Sequence, residues 1–274
     1  MIKIENVEVT GFEHAIRGMR NPKNSWAKSD SGYCGGDDHI GCANCACLGD
    51  RDKNQKMIEV DLKHGYDVKP CGKKEFDNSF CVGYNDHDLM MRLANGGPVH
   101  AKYRRMIVVY LDITSHHAFW SEFDTYKVGT VRNSCSKMHK IHVKEFVKDD
   151  FSHEGIDEVG EYAVEAFEDL LITLERLRID FNRTQEKKYW RAMIELLPMG
   201  YNIKATIMLN YEVLVGMYRD RKKHKLDEWR EFCKWIESLP YSELITGEVD
   251  RQGYVDSKTS YENGGIVWDT SKEE

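Results

Sequence analysis

The chain contains no apolar run long enough to cross a bilayer. The longest worth naming, Met106-Ile-Val-Val-Tyr-Leu111, falls far short of the roughly 20 residues that a membrane helix needs. An apolar leader is missing too, since Met1-Ile-Lys-Ile-Glu-Asn6 carries charges where the hydrophobic stretch of a signal peptide belongs. Together these absences predict a cytoplasmic protein with no membrane partner. There is no excess of positive charge: 39 Lys and Arg stand against 46 Asp and Glu, a formal net charge of −7. That balance argues against nonspecific duplex binding as the main activity, while leaving room for a local basic patch. Internal repeats and low-complexity tracts are absent. Prolines number only five, and Pro198 and Pro240 fall where helical patterns stop. What remains is 274 residues with 41% hydrophobic and 31% charged side chains. This is the make-up of a folded chain with a sizeable core, not of a disordered one.

Cysteine is plentiful but unevenly placed. Six of the eight (Cys34, Cys42, Cys45, Cys47, Cys71 and Cys81) lie close together, while Cys135 and Cys233 stand apart. In a chain without a secretion signal, clustered cysteines bind metal more often than they form disulfides. Residues 28–82 are rich in Gly, Asp, Asn and Lys, show no sustained period, and read as an irregular insertion. Cys34, Cys42, Cys45 and Cys47, with Cys71 and Cys81 as alternatives, supply enough thiolates for a tetrahedral zinc site. Such a site would fold a loop too polar to fold alone. The spacing Cys42-x2-Cys45-x-Cys47 is not a standard paired arrangement, so an iron–sulfur cluster, reduced thiols and disulfides stay open.

Outside the insertion the periodicity is clearer. Residues 1–10 alternate apolar and polar side chains, as a strand does, and Phe12 to Met19 reads as a short helix ending before Asn21-Pro22. Asn85-Asp86 is a plausible cap for a helix through Leu89, Met90 and Leu93, which Gly96-Gly97-Pro98 would end. Tyr103 to Thr114 reads as a buried strand, and Phe119 to Tyr126 as an aromatic-rich helix. From Val159 to Phe181 apolar residues recur every three or four positions. Tyr189 to Leu197, Ile203 to Tyr218 and Asp227 to Leu239 are read as three further helices. The expected organisation is a single α+β catalytic-type domain over 1–246, carrying the insertion at 28–82, with a polar, loosely held tail at 247–274.

Several constellations could carry chemistry. If Pro198 starts a long helix, Asn210 and Arg221 are about three turns apart and face one side of it. An amide and a fixed guanidinium on one face suit a ligand with a flat polar ring and a phosphate. The competing reading places Arg221 in the basic run Arg219-Asp-Arg-Lys-Lys-His-Lys225, on a solvated face near a helix C-terminus. Lys127, Arg132 and Lys137 form a second basic cluster, able to bind a phosphate or a nucleic acid strand, or to be plain surface. Cys135 is a candidate nucleophile or a small buried thiol. His116-His117 is a candidate metal ligand pair or a structural one.

The chain resembles a strongly diverged flavin-dependent thymidylate synthase over roughly residues 1–20 and 83–240. Leu197-Pro198, Asn210 and Arg221 match the spacing of that family's Leu-Pro, Asn and Arg. The family's signature Arg-His-Arg-x2-Ser-x2-Glu-x-Ser-x-Arg falls on Thr125 to Lys137, and its flavin-contacting His on His100. The departures are specific. Arg-His-Arg is Thr125-Tyr126-Lys127, the acidic residue is Asn133, the second Ser is Cys135, and the last Arg is Lys137. Glu212 replaces an Arg, and Leu226-Asp227 replaces an Ala-Gln pair.

The resemblance implies the α+β fold of flavin-dependent thymidylate synthases, a homotetramer, and reductive methylation of dUMP to dTMP. FAD would be the bound cofactor, with NADPH and methylene-tetrahydrofolate as co-substrates. Arg221 and Lys127 take catalytic roles. Lys127, Asn133, Cys135, Lys137 and Arg221 would bind the nucleotide; His100, Tyr126 and Asn210 would seat the flavin. Two other classes remain open: a nucleotide- or flavin-binding protein that kept the fold and lost the reaction, and a nucleic-acid-binding module using the insertion and the basic run.

Overall fold

The computed structural model describes residues 2–33, 80–247, 259–262 and 265–268. The chain divides into two units. One comprises Met1–Val7, Tyr110–Met208 and Arg221–Cys233; the other comprises Glu8–Val109, Leu209–Asp220 and Lys234–Glu274.

The first unit is organised by a sheet whose four strands run in the order β1 (Lys3–Thr10), β4 (Val108–His116), β6 (Asn202–Asn210) and β5 (Val131–Ser134). Along β4, Leu111, Ile113 and Ser115 are buried, and along β6, Ile203, Ala205 and Ile207. Both sets fall on alternate residues, so each strand has one face for the core and one for polar partners. The Ile203–Tyr218 segment, read above as one helix, is therefore corrected: its first half is a strand. The apolar residues of 202–210 recur every second position, which no helix face can collect. Pro198 accordingly starts no helix.

β5 pairs antiparallel with β6, Val131 opposite Met208 and Ser134 opposite Ala205. On the polar face, Asp112 accepts from Asn6 Nδ2 at 2.8 Å and from Thr206 Oγ1 at 2.7 Å, and meets Lys204 at 3.2 Å. These partners hold the Asp112 carboxyl at about 2, the Thr206 hydrogen bond contributing most.

β4 runs straight into α3 (His117–Phe123). Trp120 Nε1 donates to the carbonyls of Ser115 at 2.9 Å and Ile203 at 3.1 Å, tying that helix to two strands. Phe119 and Phe123 pack with Trp229 of α9 (Asp227–Glu237), the Phe119 and Trp229 ring centres 4.7 Å apart. Helices α4 (Lys137–Lys140), α5 (Glu154–Val159), α6 (Glu161–Thr184) and α7 (Lys187–Leu196) follow β5. Gly160, at φ 132°, separates α5 from α6, so the Val159–Phe181 pattern starts its long helix only at Glu161. Phe167 and Leu174 of α6 bury against Met193 of α7 with Phe146 and Phe151, a second core one helix hairpin wide.

In the second unit α1 (Phe12–Arg20) buries Phe12, Ala15, Ile16 and Met19, the i, i+3, i+4, i+7 stripe of an amphipathic helix. Gly11 precedes it at φ 97°, where a Cβ would lie 2.0 Å from the Met106 carbonyl oxygen, so only glycine fits. Strands β2 (Gly32–Tyr33) and β3 (Phe80–Cys81) pair antiparallel. Helix α2 (Tyr84–Asn95) starts after Gly83, so Asp86 is not its cap. Fully buried, Asp86 instead accepts from Arg20 Nε at 2.5 Å and from the Ser29 and Ser31 hydroxyls at 2.6 Å. Those charge-assisted bonds offset the cost of burying both charges. Residues 101–106 form a 3₁₀ turn where a strand was expected, and the strand begins at Val108. Tyr211 opens α8 (Tyr211–Arg221), packs edge-on to Phe12, and donates to the Pro240 carbonyl at 2.6 Å. A short α10 (Glu243–Thr246) follows Pro240. Within the tail, β7 (Thr259–Glu262) and β8 (Gly265–Trp268) pair antiparallel. No helix among the described residues is long and apolar enough to cross a membrane.

Candidate functional site

Arg221 is the best-held of the expected site residues. Its Nη1 lies 2.5 Å from Glu122 Oε2, and its Nε donates to the Tyr126 hydroxyl at 2.9 Å. The guanidinium also lies over the Trp229 ring, 4.9 Å from its centre, and 5.5 Å from that of Tyr126. Glu122 is shared, since His224 Nε2 approaches the same oxygen at 3.1 Å. The solvated-face reading of Arg221 is thus overturned for this residue: its side chain is only 18% exposed. Local chemistry explains the placement. Glu122 and Tyr126 sit four positions apart at the end of an aromatic helix, and a planar cation stacks on indole better than an ammonium does.

The signature segment follows. Thr125 hydrogen-bonds the Glu122 carbonyl at 2.7 Å and closes the helix. Lys127 is exposed in the loop beyond it. Asn133 lies on β5 opposite Thr206, with its side chain exposed. Cys135 is exposed and not buried as a small core thiol, because it sits just past the strand end, where its N–H donates to the Lys204 carbonyl at 3.2 Å. Arg132 stacks over Trp120 at 4.9 Å and meets Asp124 at 3.1 Å.

Lys137, first residue of α4, brings its ammonium against the imidazole of His117, with a short contact to Nε2 and 3.4 Å to Nδ1. Burial, then Lys137, His116 and Arg132 push the His117 pKa down. Burial and Arg132 do the same to Lys137. His116 behaves differently. It caps α3, Nδ1 accepting from the Phe119 N–H at 3.4 Å, while Nε2 lies 3.2 Å from Glu228 Oε1. With Nδ1 as acceptor, Nε2 is the donor, and its hydrogen bond is the main reason the Glu228 carboxyl falls to about 2. The pair forms part of the wall of an open pocket of about 570 Å³, with Ser152, His153, Met199 and Lys225. The two adjacent histidines therefore serve different partners, and among the described residues no group of three metal-ligating side chains exists.

The remaining expected residues lie in the second unit. His100 is exposed and precedes the 3₁₀ turn. Asn210 ends β6, and its Oδ1 caps α8 by accepting from the Val213 N–H at 3.1 Å. That cap uses Oδ1 and leaves the Nδ2 of Asn210 as a donor. Glu212 faces the nearly buried Arg104 at 3.9 Å, so the acidic replacement has a basic counterpart. Of the zinc candidates only Cys81 falls within the described residues, at the end of β3 and buried; Cys34, Cys42, Cys45, Cys47 and Cys71 lie outside them.

Sequence reasoning missed Glu122 and Trp229 as partners of Arg221. The only available signals were an acid four residues before Tyr126 and an indole eight residues after Arg221. It placed His117 beside His116 as one unit, although adjacent residues at a strand-to-helix junction point different ways.

No family model matches the sequence, and no curated protein matches it. Among solved structures the chain is similar to thymidylate synthase X (ThyX) from Helicobacter pylori with FAD and dUMP. The TM-score is 0.55 at 14% identity, covering 90% of this chain and 98% of the other. A second structure of the flavin-dependent ThyX from the same organism, complexed with FAD and dUMP, gives a TM-score of 0.54 at 14% identity, with 89% and 98% covered. At that identity the likeness is one of fold.

Proposed function

We propose that this chain is a flavin- and nucleotide-binding protein that methylates dUMP reductively, as a flavin-dependent thymidylate synthase. The observation that carries the reading is the fold likeness, over 90% of the chain, to structures holding FAD and dUMP. The arrangement of cations in the first unit is compatible with it. Arg132 and Lys137 lie within the segment on which the family's signature falls, and a nucleotide phosphate needs cations there. FAD, when bound, supplies the hydride; NADPH would reduce it and methylene-tetrahydrofolate would give the carbon. The chain's own residues bind and orient. Asn210 Nδ2 and His100 would hold the flavin ring edge, and Lys127, Lys137 and Arg221 the nucleotide, with Asn133, Cys135 and Tyr126 beside them. The homotetramer and a zinc ion in the insertion belong to the same proposal.

One observation favours a second reading, a binder without the reaction. Arg221 is already neutralised by Glu122 at 2.5 Å, so a nucleotide has to displace a carboxylate to reach it. Two measurements separate the readings. Tritium release from C5-labelled dUMP, with methylene-tetrahydrofolate, FAD and NADPH present, is expected for the enzyme. Saturable FAD and dUMP binding without release selects the binder. Failure to bind either FAD or dUMP overturns both.

A further inference from the structure

We propose that His117 joins Lys137 and Arg132 in a site for a phosphate monoester dianion, and that binding places a proton on His117. The inference rests on the reading of the chain as a nucleotide binder and names the side chains that would receive the phosphate. An ammonium has only donors, so the imidazole nitrogen facing Lys137 is an unprotonated acceptor and His117 is neutral in this arrangement. The groups facing His117 are all basic: Lys137 from α4, Arg132 from β5, and His116 beside it. His116 is matched by Glu228 and Arg132 by Asp124. Among the described residues neither His117 nor Lys137 has a carboxylate within ion-pair distance.

Burial and mutual repulsion already hold both groups below their usual pKa values. An anion reverses that balance. A phosphate monoester offers three strong acceptor oxygens and, above its second pKa of about 6, close to two negative charges. Lys137 then turns its protons to phosphate oxygens. The nitrogen it vacates on His117 takes one proton from solvent and becomes a further donor. No covalent bond forms or breaks; one proton moves from water to imidazole for each anion bound. Arg132, held flat on Trp120 at 4.9 Å, contributes a planar fork of donors with a fixed charge.

Calorimetry of dUMP binding at about pH 8, in buffers of different ionisation enthalpy, counts the protons taken up. At that pH the ligand phosphate is already a dianion, so uptake reports the protein. The wild type is expected to take up roughly half a proton or more per dUMP, and His117→Gln close to none. His117→Gln is also expected to bind dUMP about tenfold more weakly near pH 6, where protonating the wild-type imidazole on binding costs less than at pH 8. Deoxyuridine, which lacks the phosphate, should not distinguish the two proteins. Nitrogen NMR of the His117 side chain, with inorganic phosphate as the probe, gives a readout independent of the nucleotide. A shift to the protonated form that disappears in Lys137→Met supports the site even if dUMP fails to bind, in which case the nucleotide reading falls alone. Binding of dUMP with equal proton uptake in His117→Gln overturns the proposal and spares that reading. An imidazole unmoved by both phosphate and dUMP also overturns it.

Discussion

Arg221 illustrates how one side chain changes its meaning once its neighbours are known. A side chain that only reached outward to a ligand would leave stability unchanged when truncated. Arg221 instead links Glu122, Tyr126 and the face of Trp229. Arg221→Ala is therefore expected to cost about 1–3 kcal/mol of stability, from the lost charged hydrogen bonds and stacking, with partial screening by solvent already discounted. Urea denaturation measures it, and an unchanged midpoint would contradict the geometry. Because that variant mixes stability with binding, Glu122→Gln is the cleaner probe. The amide preserves an acceptor for Arg221 and removes the competing charge. Affinity for dUMP should rise severalfold by calorimetry, and a fall would mean that Glu122 positions the ligand and does not compete with it.

At the scale of elements, β6 decides how the sheet is read. Ile203, Ala205, Ile207 and Leu209 are buried while Lys204 and Thr206 face polar partners. Ile207→Ala should destabilise by about 2–5 kcal/mol, the usual loss for a fully buried Ile, in thermal or chemical unfolding. The polar face makes a separate prediction. Asp112 has its ordinary value of 3.8 lowered to about 2. A depressed carboxyl stabilises the fold above the unfolded value, and that contribution is lost as pH falls from about 4 toward 2. Melting temperature against pH should therefore drop less steeply over that window in Asp112→Asn than in the wild type. The helices were legible because their stripes are long and repeat on a single period, as from Phe167 to Leu174. β6 was not, because a nine-residue alternating run joins α8 without a break. Pro198, the natural punctuation, sits four residues before the strand begins and invited a helix start in the wrong place.

For the whole molecule, the boundaries between the two units fall inside β1, β4, β6, α8 and α9. A chain that crosses so often cannot be cut into two independent pieces at any linker. Patterning along the sequence sees elements, not such crossings, so this division was illegible in it. The candidate site was legible only in part: a motif spacing can nominate Arg221 and Lys137, but their partners come from distant positions, as Glu122 does for Arg221. Cys34, Cys42, Cys45 and Cys47 lie outside the described residues, and their proposed role is tested directly by composition. Elemental analysis of untagged protein is expected to find about one zinc per chain. Metal near zero, with these thiols titratable in the native protein, would remove the site.

β5 also bears on how the protein behaves in concentrated solution. It is the last strand in the sheet order, four residues long, and every one of its residues is exposed, although the Arg132 side chain lies over Trp120. Among the described residues no strand pairs with its outer margin. Unpaired N–H and C=O groups there form a template on which a neighbouring molecule could add a strand of its own. The brevity of β5 and the charge of Arg132 oppose that growth, so the segment proposed to help hold a phosphate also guards against self-association. Replacing Arg132 with an aromatic or β-branched residue should lower the concentration at which light scattering first rises, whatever it does to ligand binding.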